Sequence, residues 1–254
     1  MTTYPNCKIN LGLHVVGRRP DGYHNLETLF LPVHDLHDEL EITEGPLALQ
    51  QDGIALDNTP KDNLCMKAWR LLHDEYGIPT VSIRLKKGIP FGAGLGGGSS
   101  DAAFTLKMLN EMFCLNLTIT DLEQRAARLG ADCAFFVQNR AAYATGIGDV
   151  LEPLDRDPGS YRIAIEIPDG EHVSTKEAYG GLHRDLFGQP RPDLREAVKR
   201  PVEEWRQLIV NDFETSVFLS HPAIAALKED MYRRGALYAS MTGSGAAVFG
   251  IFSK

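Results

Sequence analysis

A chain of 254 residues, of which 43% are hydrophobic and 24% charged, has the size and composition of a globular protein with one large or two modest domains. Its formal net charge of -8 argues against a nucleic-acid partner, because such proteins need a basic surface. The four cysteines form no C-x-x-C pair, and the chain has neither a signal-like N-terminus nor a long apolar run. These features predict a cytoplasmic protein with no zinc site, no disulfide framework and no membrane partner.

The N-terminal part of the chain is rich in strand patterns. Apolar residues alternate with Lys8 and Asn10 over residues 7–16, which predicts a strand whose polar face is either functional or solvated at a sheet edge. Arg19-Pro-Asp-Gly22 predicts a turn, and the Tyr23-His24 pair after it is either a binding feature or an aromatic plug. Further strands are expected over residues 23–33, 36–42 and 47–56, the last as a hairpin arm.

Two segments before the middle of the chain are interpreted as structural and not as metal-binding or catalytic. Residues 34–39 contain two histidines and three acids, but without the framing of a metal site they indicate a solvated face or loop. Residues Asn63 to Tyr76 predict a helix, which Gly77 ends.

A glycine-rich segment from Pro90 to Asp101 lies between a predicted strand and a predicted helix. Apolar residues alternate over residues 81–86 before it and recur at helical spacing from Ala102 after it. Glycine tolerates positive φ and leaves the backbone open to a ligand, and a helix N-terminus attracts anions. The segment therefore predicts a phosphate-binding loop. Its expected helix caps are Ser99, Ser100 and Asp101.

Two other interpretations of this loop remain open at this point. Gly92, Gly94 and Gly97 match the G-x-G-x-x-G pattern of dinucleotide-binding folds, although no convincing strand follows the helix. The loop is not a Walker A motif, because no lysine precedes Ser99 or Ser100. A glycine-rich surface turn without a ligand is the second alternative.

The next helix and its neighbours contain one candidate acid. Thr120 and Glu123 predict a capping box for a helix that Gly130 ends. Asp132 lies in the short apolar stretch that follows and is either a catalytic candidate or a helix cap. Residues 141–154 predict a strand with a bend at Gly146-x-Gly148.

Proline, aspartate and glycine cluster over residues 153–159, which predicts an N-terminal domain of residues 1–154 and a C-terminal domain of residues 155–254. In the second domain a strand is expected from Tyr161 to Ile167, and Thr242-Gly-Ser-Gly245 is by itself a tight turn. Helices are expected at residues 193–196 and 222–235, and strands at residues 236–241 and 246–252. The mixed order of these elements favours the α+β class.

Four segments together resemble the GHMP kinase superfamily, which includes galactokinase, homoserine kinase, mevalonate kinase and phosphomevalonate kinase. The segment from Pro90 to Asp101 resembles the ATP loop of these enzymes. Lys8-Ile-Asn-Leu-Gly-Leu13 with Arg19-Pro-Asp-Gly-Tyr-His24 is similar to the branch that phosphorylates 4-diphosphocytidyl-2-C-methyl-D-erythritol. Gly130-Ala-Asp-Cys-Ala-Phe-Phe136 and Thr242-Gly-Ser-Gly245 follow in the order of that branch, so the match extends over nearly the whole chain.

The resemblance implies a role for each matching residue. Asp132 matches the catalytic acid and Lys8 the catalytic lysine, while Asn63 and Lys86 match positions around the nucleotide base. The ATP phosphates are expected against Pro90, Phe91, Gly92, Ala93, Gly94, Leu95, Gly96, Gly97, Gly98, Ser99 and Ser100.

The same resemblance implies a second pocket for the phosphate acceptor. Asn10 would position the methylerythritol hydroxyls, and Tyr23, His24 and Tyr179 would hold the cytosine ring. Phe30 and Thr175 fall near that pocket in the family pattern.

For the whole protein, the resemblance implies a two-domain kinase. Its N-terminal domain is expected to be similar to ribosomal protein S5 domain 2 and its C-terminal domain to be ferredoxin-like, with the site in the cleft between them. The expected reaction is transfer of phosphate from ATP, with Mg²⁺, to the 2-hydroxyl of the cytidyl substrate in non-mevalonate isoprenoid synthesis. The metal ligands remain open, and a monomer or weak homodimer is expected.

Three rival functions remain from the sequence. They are a kinase of the same superfamily for another small alcohol, a nicotinamide-dependent oxidoreductase, and a catalytically inactive nucleotide-binding module. The Tyr23-His24 pair disfavours the first, and the presence of both Lys8 and Asp132 disfavours the third. The chain ends nine residues after Gly245, where relatives continue with a helix and a strand, so either the C-terminal domain lacks its last elements or the sequence is a shortened form.

Overall fold

The computed structural model describes residues 1–54, 62–154, 161–182, 187 and 189–254. Their mixture of strands and helices confirms the predicted α+β class. The strands are β1 (Thr2–Thr3), β2 (Asn6–Arg18), β3 (His24–His37), β4 (Glu39–Glu44), β5 (Ala48–Gly53), β6 (Val81–Lys87), β7 (Ala142–Thr145), β8 (Val150–Pro153), β9 (Tyr161–Glu166), β10 (Tyr238–Met241) and β11 (Val248–Ser253).

The helices include several short ones that the sequence did not predict, among them α5, α7 and α8. In chain order they are α1 (Leu64–Tyr76), α2 (Gly97–Met112), α3 (Ile119–Leu129), α4 (Cys133–Gln138), α5 (Thr175–Gly180), α6 (Leu194–Ala197), α7 (Trp205–Leu208), α8 (Glu214–Ser220) and α9 (Pro222–Arg233). A 3-10 turn covers Val202–Glu204. No helix in the described ranges is long and apolar enough to cross a membrane.

Three sheets organise the described strands. Their orders are β1-β4-β6-β5, β2-β3-β7-β8 and β10-β11-β9. Strand β5 pairs with β6 in parallel, so the hairpin predicted for residues 47–56 is wrong. Its residues 55 and 56 lie outside the described part of the chain. Parallel neighbours need a crossover connection, and α1, which lies between β5 and β6 in the chain, is that connection.

Contacts divide the chain into two compact units that alternate along the sequence. The first unit comprises Met1–Lys8, Pro32–Phe91 and Gly96–Arg140, and the second comprises Ile9–Leu31, Gly92–Leu95 and Ala141–Lys254. The predicted linear division after residue 154 stays a prediction, and residues 155–160 lie outside the described ranges.

The first unit has a core between the sheet β1-β4-β6-β5 and its helices. Every second residue of β6 is buried, from Val81 to Lys87, because side chains alternate between the two faces of a strand. Helix α1 begins at the side-chain cap of Asn63 and ends at Gly77, whose φ of 66° is the left-handed conformation that glycine favours. Both ends of this helix confirm the prediction.

Two predicted helix starts are wrong by a few residues. Helix α2 has Gly96 as its N-cap, with no side-chain cap, so Ser99, Ser100 and Asp101 lie inside the first turns. The capping box of α3 is formed by Thr118 and the side chain of Asp121, two residues before the predicted pair. Because the segment contains threonines at both 118 and 120, the pattern alone did not distinguish the two starts.

The second unit builds its core from β10, β11 and the helices beside them. Buried apolar residues include Val173, Phe213, Val217, Ile224, Met231, Met241 and Val248. The hairpin of β7 and β8 confirms the strand predicted over residues 141–154, with its bend at Gly146 and Gly148.

Candidate active site

The glycine loop connects β6 to α2, as predicted. Gly92, Gly94 and Gly96 have φ values of 68°, 77° and 71°, a left-handed conformation that side chains other than glycine rarely adopt. The first intrahelical bond of α2 runs from the amide of Ser100 to the carbonyl of Gly96, at 2.9 Å. The amides that precede it belong to the first turn and lack an intrahelical partner, so they can donate to an anion.

Gly96, the N-cap of α2, and Gly97, its first residue, each lie close to a different lysine. A Cβ atom on Gly96 would lie 3.2 Å from Cε of Lys8 and 3.1 Å from the ring of Phe136. A Cβ atom on Gly97 would lie 2.9 Å from Cγ2 of Ile89 and 3.4 Å from Nζ of Lys87. Packing within the protein therefore disfavours a side chain at both positions, independently of any ligand.

Behind the loop, Lys87 forms ion pairs with Asp38 and Asp101, the latter at 2.7 Å. These three side chains are at most 3% exposed. Asp38 also accepts the amides of Gly88 at 2.6 Å and Ile89 at 2.8 Å. The network ties the end of β6 to the second turn of α2, so it fixes both ends of the glycine loop.

The charges of this network shift two pKa values. Burial and the charge of Asp38 raise the pKa of Asp101 well above the usual range of an aspartate, although Lys87 opposes the shift. Burial alone would lower the pKa of Lys87, but the carboxylates of Asp101 and Asp38 raise it above its usual value. The ammonium group therefore stays charged in spite of its burial.

A second lysine–aspartate pair lies near the N-cap of α2. Nζ of Lys8 is 3.5 Å from Oδ2 of Asp132, and the two side chains are 4% and 32% exposed. Lys8 comes from β2, and Asp132 directly precedes α4 without capping it through its side chain. The carboxylate is thus held near a cation while one third of it remains accessible to another molecule.

The thiols of Cys7 and Cys133, which flank this pair in the sequence, have raised pKa values. Burial raises the pKa of Cys7 to about 12 and that of Cys133 to about 11. Both neighbours of the Lys8–Asp132 pair therefore stay protonated near neutral pH. All four cysteines of the chain are free.

In the second unit, Asn10 belongs to a buried polar cluster with Thr28 and Thr242. The amide group of Asn10 donates to Oγ1 of Thr28 at 3.0 Å, and its backbone N–H donates to Oγ1 of Thr242 at 2.9 Å. All three residues are at most 3% exposed. The polar face of β2 is therefore buried, and the alternative of a solvated edge-strand face is wrong for Lys8 and Asn10.

The Thr242-Gly-Ser-Gly245 turn lies against the first half of the glycine loop. A Cβ atom on Gly243 would lie 3.1 Å from Cα of Gly94, so the two backbones are in direct contact. Asn211 donates to the carbonyls of Met241 and Gly243 at 2.8 and 2.9 Å. This turn is therefore more than a surface connection, because its glycines allow the close approach.

Aromatic rings of the second unit gather around His24. Its ring stacks on that of Tyr179 with centroids 4.7 Å apart and an interplanar angle of 21°, and Phe187 lies 5.9 Å away. Burial and the nearby charge of Arg18 lower the pKa of His24, which keeps the ring neutral at pH 7. Tyr23 follows the Arg19–Gly22 turn and is 62% exposed. The Tyr23-His24 pair does not form a closed plug.

The remaining predicted site residues lie on four different elements. Asn63 is buried and caps α1 by accepting the amide of Cys65 at 2.8 Å. Lys86 lies on the exposed face of β6, on the opposite side from Lys87. Phe30 is buried on β3, and Thr175 is the exposed first residue of α5, one helical turn before Tyr179. Contacts of Asn63 and Lys86 with a nucleotide stay predictions.

Several residues at these sites were missed from the sequence. Thr28, Asn211 and Phe187 have no local motif that marks them. Lys87 did carry a signal, because the alternation of Val81, Ile83 and Leu85 places it, and not Lys86, on the buried face. Among the described residues, no group of three or more histidine, cysteine, aspartate or glutamate side chains is arranged to hold a metal ion.

Two family models match this chain. The model described as GHMP kinases N terminal domain matches residues 63–140, and the model described as GHMP kinases C terminal matches residues 193–254. A protein of Bacteroides thetaiotaomicron named 4-diphosphocytidyl-2-C-methyl-D-erythritol kinase is 51% identical over 257 residues, which cover 99% of this chain and 92% of the relative. A protein of the same name from Porphyromonas gingivalis is 48% identical, with 100% of this chain and 93% of the relative covered.

Solved structures are similar over almost the full length. A crystal structure of 4-(cytidine 5'-diphospho)-2C-methyl-D-erythritol kinase matches with a TM-score of 0.85 and 34% identity, over 99% of this chain and 90% of that one. The mevalonate kinase of Methanococcus jannaschii matches with a TM-score of 0.76 over 100% of this chain and 90% of its own. At 14% identity this second likeness concerns the fold alone.

Proposed function

This chain belongs to the GHMP kinase family, and we propose that it transfers a phosphoryl group from ATP to the 2-hydroxyl of 4-diphosphocytidyl-2-C-methyl-D-erythritol. It has the two-domain fold of that family, as its sequence predicted. Relatives that share about half of its residues carry the name of this activity. The reaction belongs to the non-mevalonate synthesis of isoprenoid precursors.

The Lys8–Asp132 pair is the observation that carries the proposal. An alcohol is a poor nucleophile, and a carboxylate within hydrogen-bond reach can take its proton as the bond to phosphorus forms. Asp132 is the carboxylate in this role, because one third of its side chain is open to a second molecule. Lys8, 3.5 Å away, holds that carboxylate in place and stabilises negative charge on the attacking oxygen or the transferred group.

The first turn of α2 is proposed to bind the phosphates of ATP. The amides of this turn precede the first intrahelical bond and lie at the positive end of the helix dipole. Gly98 supports this role, because a Cβ atom there would meet only Cδ1 of Leu64 at an ordinary 3.7 Å. Packing within the protein therefore does not explain why residue 98 is glycine.

A magnesium ion is proposed to accompany ATP. Magnesium prefers oxygen ligands, and the hydroxyl oxygen of Ser100 is buried in the first turn of α2 with no hydrogen-bond partner. Ser100 is therefore the residue of the loop that fits the ion best. When bound, the ion would neutralise charge on the phosphate oxygens.

The second unit is proposed to recognise the phosphate acceptor. His24 and Tyr179 supply stacked aromatic faces of the kind that bind a nucleobase, and the neutral His24 ring has a donor and an acceptor for the base edge. Exposed Tyr23 would add a further face, with Phe30 and Thr175 near the pocket. Asn10, held by Thr28 and Thr242, would orient the hydroxyls of the methylerythritol.

Three further predictions, on domain division, location and oligomeric state, are kept as proposals. The linear division at residues 154 and 155 is supported by family matches that lie on either side of it. A cytoplasmic location is consistent with four free thiols. A monomer or weak homodimer is the expected state, to be measured by analytical ultracentrifugation.

The test is a panel of phosphate acceptors offered to the purified protein with ATP and magnesium. We expect ADP release with the cytidyl substrate and not with mevalonate, homoserine or galactose. Preference for one of the other alcohols would assign the chain a different activity within its family. NAD serves as a separate control, because a ligand that binds the folded protein raises its Tm; a rise with NAD and none with ATP would favour an oxidoreductase.

A variant identifies which unit recognises which substrate. His24→Ala removes one of the two stacked rings, and base–aromatic stacking contributes about 1–3 kcal/mol per base. Because this stacking energy is lost, we expect KM for the cytidyl substrate to rise by about tenfold or more. KM for ATP should be nearly unchanged. Equal changes in both KM values would contradict a cytosine contact at His24.

A further inference from the structure

Two asparagines in the first unit form a reciprocal amide pair. Nδ2 of Asn6 donates to Oδ1 of Asn139 at 3.2 Å, and Nδ2 of Asn139 donates back to Oδ1 of Asn6 at 2.6 Å. Asn6 is 2% exposed and also donates to the carbonyl of Cys7 at 2.9 Å. The sequence assigned no role to either residue, and they lie 133 positions apart in the chain.

The pair joins the same two elements as the catalytic pair. Asn6 precedes Lys8 by two residues on β2, so both side chains leave the same face of the strand. Asn139 is the C-cap of α4, the six-residue helix that Asp132 directly precedes. Strand β2 and helix α4 are thus linked at both ends of the helix, by Lys8–Asp132 at one end and by Asn6–Asn139 at the other.

The geometry of Asn139 is suited to this contact. Its φ of 52° and ψ of 48° are left-handed, a conformation that asparagine tolerates better than most residues. Its backbone N–H closes α4 by donating to the carbonyl of Phe135 at 2.9 Å. The end of the helix therefore turns where its side chain meets Asn6.

The catalytic pair does not fix its own distance. At 3.5 Å the contact between Lys8 and Asp132 is at the long limit of a hydrogen bond and is weakly directional. A helix of six residues has little stability of its own, so its position depends on what it packs against. Misplacement of a catalytic group by about 1 Å can cost about a hundredfold in rate.

We propose that the Asn6–Asn139 pair is a positioning device that holds α4 against β2 and so sets the place of Asp132 relative to Lys8. The inference rests on the proposed phosphotransfer, in which Asp132 and Lys8 act on the reacting atoms. Asn6 and Asn139 act only through those two residues. The amide pair suits this role because it is neutral and leaves the charges of the catalytic pair undisturbed.

The test compares Asn6→Ala, Asn139→Gly and the double variant. Glycine at 139 keeps the left-handed C-cap without strain while removing the amide. The matched control is Gln138→Ala, one residue away on α4, because Gln138 donates its amide to Glu123 at 2.5 Å and not to the strand. All four proteins are assayed well below their Tm values.

We expect each single variant to lower kcat by about tenfold, since a small displacement of the acid suffices. KM for ATP and for the cytidyl substrate should stay within about twofold, because neither asparagine belongs to the proposed substrate pockets. The double variant should be no slower than the single ones, which is the signature of one shared interaction. Gln138→Ala should retain its activity. Additive losses, or equal losses in Gln138→Ala, would overturn the proposal.

A second measurement needs no substrate, so it separates this inference from the proposed function. Lys8 is 4% exposed, and its acetylation by acetic anhydride, read by mass spectrometry against exposed Lys86, should be slow. Loss of the asparagine pair should speed acetylation of Lys8 several-fold, and Gln138→Ala should not. Unchanged labelling would contradict the inference even if the chain phosphorylates another alcohol. Absence of phosphotransfer in the unmodified protein would instead contradict the proposed function.

Discussion

The first unit contains two lysine–aspartate clusters that share the same chemical groups and differ in access to solvent. The Lys87 cluster has two carboxylates at most 3% exposed, whereas Asp132 beside Lys8 is 32% exposed. Each lysine lies beside one of two successive glycines at the start of α2, Lys8 at Gly96 and Lys87 at Gly97. Exposure of the acid, and not the presence of an ion pair, is therefore what separates the proposed catalytic group from the acids that hold the fold.

The largest expected effect is on the exposed acid. Asp132→Asn removes the proposed proton acceptor, so kcat should fall by about 10²–10⁴-fold, the usual contribution of such a group. The Kd for ATP, measured by calorimetry, should change little, because the phosphate loop is intact. A kcat close to that of the unmodified protein would exclude Asp132 as the base.

The same substitution at the two lysines should affect stability and activity differently. Lys87→Met leaves the buried acids Asp38 and Asp101 without their cation, which should cost about 3–5 kcal/mol of unfolding free energy. Lys8→Met should lower kcat with a much smaller loss of stability, since water can solvate Asp132. Urea denaturation of both variants measures the difference. Equal destabilisation would contradict the proposal that Lys87 stabilises the fold whereas Lys8 acts in the reaction.

A smaller effect is expected at the glycine that packing does not explain. The free energy of unfolding of Gly98→Ala should be unchanged or higher by about 0.5–1 kcal/mol, because alanine is the better helix former and its Cβ has room. The methyl group should nevertheless raise KM for ATP several-fold if phosphate approaches the backbone there. Gly97→Ala is the contrast, since its Cβ would crowd Ile89 and lower Tm. An unchanged KM in Gly98→Ala would argue against phosphate at this turn.

The smallest effect concerns pH and the buried cluster. Because burial raises the pKa of Asp101 above its value in the unfolded chain, the folded protein holds an extra proton between the two values. Stability contributed by this group should therefore fall as pH rises from the unfolded pKa of about 3.9 through the folded pKa. Asp101→Asn should remove that slope from urea denaturation measured over pH 5–9. An identical slope in the variant would mean that Asp101 is ionised in the folded state.

Local signals predicted the elements that frame the site. The helix start at Asn63, the stop at Gly77 and the strand–loop–helix order around the glycines all depend on neighbouring residues, and each is present in the structure. The functional assignment of Lys8 and Asp132 came from resemblance, since a lysine on a strand and an acid near a glycine are each ambiguous alone. Their closeness confirms that the two residues belong together in space.

Contacts between distant segments could not be predicted from the sequence pattern. Asn10 meets Thr242 across 232 positions and Asn6 meets Asn139 across 133. Hydrophobic periodicity reports which face of an element is buried but carries no information about the polar partner on that face. The parallel pairing of β5 with β6 was missed for a related reason, because the strand pattern of β5 is the same in a hairpin and in a crossover.

Phosphorus NMR of the reaction product tests the central claim most directly. The 2-carbon of the proposed acceptor carries a methyl group and no hydrogen, so a phosphate on its oxygen has no three-bond coupling to a proton. After incubation of the protein with ATP, magnesium and the cytidyl substrate, the proton-coupled spectrum should contain one new phosphomonoester resonance as a single line. A doublet or triplet would place the phosphate on another hydroxyl, and the absence of a new resonance would contradict the proposed activity.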